Sequence, residues 1–118
     1  MSTLANAVVA FVALIHVYIL VLEMFLWDKP AGLRAFGQTQ QAAAASKVLA
    51  ANQGLYNGFL AAGLLWGLLL GPAGTGVKVF FLGCVLVAGL YGAATASRKI
   101  LFVQAIPAAI GLALIALS

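Results

Sequence analysis

The sequence predicts an all-α polytopic membrane protein, a four-transmembrane-helix antiparallel bundle. Composition is the first reason: 65% of the 118 residues are hydrophobic and 7% are charged, a balance foreign to ordinary soluble domains. The second is that the apolar residues run in four stretches, each near the length that crosses a hydrocarbon core of roughly 30 Å. The third is that the cations fall in or beside the short connections between those stretches.

Residues 4–27 make the first span. Trp27 followed by Asp28-Lys29-Pro30 marks its exit, with an interfacial aromatic, charges and a helix breaker in succession. No cationic leader precedes it, and Leu26-Trp27-Asp28 stands where a small-residue cleavage pattern would be, so it reads as a retained span rather than a signal peptide. Residues 28–45 are less apolar. A short surface helix capped by Asp28 with Pro30 in its first turn, or a plain loop, both fit them. The second span is 46–70, closed by the turn Gly71-Pro72-Ala73-Gly74-Thr75-Gly76, and the third is 77–96. Ser97-Arg98-Lys99 turns tightly into a fourth span, 100–118, where Pro107 is expected to kink the helix and free a carbonyl near Val103, beside Gln104. All of 1–118 is read as a single transmembrane domain, with the lipid bilayer as its first partner.

Net charge is +4, from six Lys and Arg against Asp28 and Glu23. The cations are scattered, not striped, so no nucleic-acid partner is expected. Lys29, Arg34 and Lys47 lie in the first connection, Arg98 and Lys99 in the third, and Lys78 by itself in the second. That bias places connections one and three in the cytoplasm and both termini outside it. Cys84 sits in an apolar run and reads as a small core residue.

Polar residues inside the spans are the candidates for function. His16 and Glu23 face nearly the same way on the first helix, about 10 Å apart along it. On the second, Asn52, Gln53, Tyr56 and Asn57 share one arc, with Val48, Leu55, Phe59 and Trp66 as an apolar ridge opposite. Counted inward from each cytoplasmic helix end, Glu23 and Gln104 lie about 6 Å deep, Asn52 and Tyr91 about 9 Å, and His16 and Asn57 about 16 Å. The expectation is a shared pocket in the cytoplasmic half for a small amphipathic molecule or lipid headgroup. Glu23 would be its charged contact or proton acceptor, Asn52 and Asn57 would orient the ligand, and His16 would close the deep end. Gln53, Tyr56, Tyr91 and Gln104 would complete the walls. The plainer alternative makes each amide an interhelical hydrogen bond, worth roughly 0.6–2 kcal/mol.

One His, one Glu and amides form no recognised metal-ligand set, and no cofactor is expected. Small residues at four-residue spacing (Gly54 and Gly58; Gly63, Gly67 and Gly71; Gly89, Ala93 and Ser97) fit close packing within one bundle or within a homo-oligomer.

His16-Val17-Tyr18, then Glu23-Met24-Phe25-Leu26-Trp27, then Asn52-Gln53-Gly54-Leu55-Tyr56-Asn57-Gly58-Phe59-Leu60-Ala61-Ala62-Gly63-Leu64, resemble the hallmark stretches of a bacterial family of short four-helix membrane proteins known only as a domain of unknown function. The resemblance covers essentially the whole chain and implies a four-span protein of the bacterial inner membrane; it implies no activity. Two other families bear comparison. The chain resembles small multidrug-resistance exporters in architecture, with Glu23 where a first-span carboxylate would exchange protons for cationic drug. It is also similar to the membrane-associated eicosanoid and glutathione-metabolism enzymes in having Lys47 and Asn52 near the start of the second span, but Leu55 stands where their acid belongs.

Overall fold

The computed structural model describes residues 2–118, which are all-α, with no strand among the described residues. Helix α1 is Ser2–Met24, α2 Pro30–Phe36, α3 Gln40–Ala45, α4 Lys47–Leu69, α5 Thr75–Thr95 and α6 Ile106–Ala116. A 3-10 turn, Gly71–Gly74, precedes α5, and a π-helical turn, Leu101–Ala105, precedes α6. Two stretches, Ser2–Met24 and Gly71–Thr95, are long and apolar enough to cross a membrane. Helix α4 is as long as α1, 23 residues, but Asn52, Gln53 and Asn57 dilute its first half. The final apolar stretch, Leu101–Ala116, is shorter than the span expected there.

The chain divides into two compact units. The smaller is His16–Phe59, and the larger combines the residues up to Ile15 with Leu60–Ser118. Helices α1 and α4 contribute to both.

In the smaller unit, α1 stops at Met24, three residues before the expected exit. The amides of Phe25 and Leu26 both reach back to the carbonyl of Val21, and the chain then turns so that Gly32 lies against the Leu26 carbonyl, where a Cβ would not fit. Pro30 opens α2, a position where its missing N–H costs nothing. The residue preceding α2 is Lys29, and no side chain caps that helix; the Asp28 carboxylate instead accepts from Lys47 at 3.1 Å, so the helical alternative for this stretch forms without the Asp28 cap. Gly37, at φ 60°, closes α2 in the left-handed region, and Thr39 caps α3 by accepting from the Ala42 amide at 3.1 Å. Residues 28–45 therefore hold two short helices. Trp27 ties them down: its ring lies 4.8 Å from that of Phe36, and its Nε1 donates to Ser46 Oγ at 3.1 Å.

In the larger unit, the first half of α1, the second half of α4, and helices α5 and α6 close on Val9, Val12, Ala13, Leu64, Leu82, Val85 and Ala108. Gly71, at φ 64°, lets the chain leave α4. The expected kink at Pro107 takes the form of a π turn: Pro107 has no N–H to give, and the Ile106 amide reaches five residues back to Leu101. Gly89 of α5 packs on the backbone of that turn, and a Cβ there would stand 2.7 Å from the Ala105 nitrogen.

Candidate functional site

Within the smaller unit the face that α4 turns to α1 is set by glycine. A Cβ on Gly54 would meet Met24 Cγ at 2.6 Å and Glu23 Cβ at 3.1 Å, and one on Gly58 would meet Leu20 Cδ1 at 2.7 Å. The two helices thus run antiparallel in close contact. Asn57 stands at the edge of this face, and its Nδ2 donates to Glu23 Oε1 at 2.7 Å and to the Gln53 carbonyl at 3.1 Å. Glu23 is 7% exposed, so this amide answers a carboxyl held out of water.

Contact between Glu23 and Asn57 departs from the expected depths, which set them about 10 Å apart. Because Gly54 lies beside Met24, the last residue of α1, the first turns of α4 run on past the end of α1. Depth counted from each helix's own end therefore misaligned the two.

Asn52 does not join the pair. Its side chain is exposed and its Nδ2 donates to the Val48 carbonyl of its own helix at 2.9 Å. It lines an open groove of about 380 Å³ together with Met24, Lys47, Val48, Ala51 and Leu55. The groove is cationic and polar at Lys47 and Asn52, and apolar along Met24, Val48 and Leu55. Gln53 and Tyr56 are exposed on the smaller unit, Tyr56 with its ring 6.1 Å from that of Phe59. His16 is fully buried, 0% exposed. Tyr91 and Gln104 belong to the larger unit, where Tyr91 is 72% exposed and Gln104 lies half-buried in the π turn. The single expected pocket is thus resolved, among residues of the smaller unit, into a closed acid–amide contact and an open amphipathic groove.

A further polar centre escaped the sequence reading. Lys78, expected to be a loop cation, lies inside α5 and is 7% exposed. Its Nζ donates to Asn6 Oδ1 at 2.9 Å, and its stem passes Gly67, where a Cβ would stand 2.6 Å from Lys78 Cγ. The available signal was Gly67, placed one helical turn before the connection and so free to admit a long side chain.

Residues 10–116 match the family described as "Protein of unknown function (DUF1304)". The chain is 32% identical over 108 residues to "Uncharacterized protein YpaA" of Lactococcus lactis subsp. lactis (strain IL1403), covering 90% of this chain and 87% of that protein. No solved structure matches.

Proposed function

The chain belongs to this bacterial family of unknown function, and we propose that it is a four-span inner-membrane protein that binds a small amphipathic molecule or lipid headgroup in the groove of its smaller unit. The membrane reading rests on large apolar side chains left exposed along the helices. Leu14, Phe80 and Leu69 are 66%, 64% and 87% exposed, while the ionisable His16, Glu23 and Lys78 are buried. Water would penalise such a surface, and acyl chains would not. The spans would be α1, α4, α5 and the π turn with α6, with the connections bearing Lys29, Arg34, Arg98 and Lys99 in the cytoplasm.

The groove is the observation that carries the binding role. Its polar residues, Lys47 at the start of α4 and Asn52 more than a turn further on, alternate with Val48, Ala51 and Leu55 along about 12 Å of the helix. A headgroup at the polar residues and a chain along the apolar ones would use both. Asn52 would orient the headgroup, while the Glu23–Asn57 contact fixes the helix pair that forms the wall.

A dansyl-labelled fatty acid titrated into the protein in nanodiscs tests this. Saturable fluorescence enhancement is expected, lost in Ala51→Trp, which fills the groove, and weakened in Asn52→Ala. Enhancement that Ala51→Trp leaves intact would refute the assignment. The buried position of Glu23 favours a second reading, a proton-coupled exporter. That reading requires substrate-dependent proton release that Glu23→Gln abolishes.

A further inference from the structure

The larger unit holds Lys78, Arg98 and Lys99 but no Asp or Glu side chain; both acids of the chain, Glu23 and Asp28, lie in the smaller unit. Arg98 and Lys99 are exposed. Lys78 is 7% exposed, and the Asn6 oxygen it meets at 2.9 Å is an amide dipole without charge. An ammonium has three N–H donors, and burying it without an opposite charge is costly.

The surroundings are shaped to keep it there. Gly67 leaves room for the lysine stem, and Gly74 packs on the Gly67 carbonyl, with no space for a Cβ, so the 3-10 turn is drawn in beside it. Asn6 and Lys78 each lie within about a turn and a half of their helix N-termini, so the first turns of α1 and α5 are at the same end of this unit. A lysine side chain on a helix leans toward the N-terminus, which aims the ammonium at that end. The positive ends of both helix dipoles add to its field, and no side chain caps α5.

We propose that Lys78 and Asn6 form a binding site for a phosphate anion, supplied either by a phospholipid headgroup or by free inorganic phosphate. The anion provides an opposite charge that no Asp or Glu side chain of the larger unit supplies. The ammonium binds it as a point charge, and the Asn6 amide, whose Oδ1 is engaged by Lys78, has its NH2 left to donate to a phosphate oxygen.

Thermal unfolding of the full chain in neutral maltoside micelles tests the site. Phosphatidylglycerol, dioleoylglycerol (which lacks the phosphate), inorganic phosphate, and chloride at matched ionic strength are added in turn. The melting temperature is expected to rise by about 5 °C at saturation with phosphatidylglycerol and to stay unchanged with dioleoylglycerol and chloride. A rise with inorganic phosphate as well identifies the free anion as sufficient, and no rise with it identifies the lipid as the source. Asn6→Asp puts a carboxylate beside the ammonium. It is expected to unfold at a higher temperature than wild type and to lose the phosphate response, which Lys78→Met should lose too. If Lys78→Met does not fold, Asn6→Asp decides. No response in wild type, or an undiminished response in Asn6→Asp, overturns the site.

Discussion

In the smaller unit a buried carboxyl accepts from an asparagine amide at 2.7 Å, and in the larger a buried ammonium donates to one at 2.9 Å. The two centres are alike in partner and opposite in kind. Each is also admitted by a glycine, Gly54 beside Glu23 and Gly67 beside Lys78. They differ in what surrounds them. The smaller unit places a second acid, Asp28, against Lys47 at its surface, whereas the larger has cations and no acid side chain. The smaller unit sets two acids against Lys29, Arg34 and Lys47, whereas the larger sets no acid side chain against Lys78, Arg98 and Lys99, which is why the anion is assigned to the larger.

Glycine substitutions should produce the largest contrast between the units. Alanine at Gly89 would meet backbone, the Ala105 nitrogen at 2.7 Å and its Cα at 3.0 Å, so neither helix can yield without shifting the π turn. Alanine at Gly54 would meet Met24 Cγ at 2.6 Å, which a change of side-chain rotamer relieves in part, and would press less closely on Glu23 Cβ at 3.1 Å and the Leu20 carbonyl at 3.3 Å. Gly89→Ala is expected to destabilise by about 3 kcal/mol and Gly54→Ala by about 1 kcal/mol. Reversible unfolding in mixed micelles measures both, and equal losses would show that the π turn is soft.

Removing the amide partner comes next. Asn57→Ala leaves the Glu23 carboxyl buried without its 2.7 Å donor and should cost about 2 kcal/mol. In the double variant Glu23→Leu/Asn57→Ala most of that loss should return, because both polar groups are then gone together. If the double variant is no better than Asn57→Ala, the amide contributes through packing and not through the carboxyl.

These variants also mark how far the amino-acid order could lead. The all-α class, the long apolar helices and the turns at 28–30, 71–74 and 97–99 follow from composition and from Gly and Pro placement, which act locally, although α5 already begins at Thr75, inside the turn expected over 71–76. The pairing of Glu23 with Asn57 does not. With successive residues turned by about 100°, Gly54 and Gly58 fall on the far side of α4 from Asn52 and Tyr56, and Asn57 falls between the two sides. The glycine side wins the contact with α1 because it permits the closest approach, and of the polar arc only Asn57 borders it. The centre of the arc, where the amides and Tyr56 gather, is left exposed. Lys78 was misplaced for a related reason: a cation after a Gly-rich turn reads as a loop residue unless the glycine that receives its stem, Gly67, is matched to it across the connection.

A smaller effect should come from the clasp at Trp27. Trp27→Phe keeps an aromatic ring against Phe36 but loses the 3.1 Å bond to Ser46 Oγ, and is expected to cost about 1 kcal/mol. Hydrogen exchange should localise the change to residues 25–46, with the larger unit's core amides unaffected; protection lost in α5 would mean that the units are not separable in this way.

The smallest effect concerns acid. The Lys47 ammonium, by its hydrogen bond, holds the Asp28 carboxyl below its ordinary value. A carboxyl whose value is lower folded than unfolded adds stability that is fully present above the unfolded value and disappears as pH falls through the folded one. Wild type should therefore lose more stability than Asp28→Asn as pH falls below about 4, and high salt should shrink the difference because the pair is open to solvent. The two units should also respond differently. The larger has no Asp or Glu side chain to protonate, so the Asp28-dependent loss should appear in amides of residues 16–59 and not in α5 or α6. If wild type and Asp28→Asn lose protection in parallel on acidification, the ion pair adds nothing to the stability of the smaller unit.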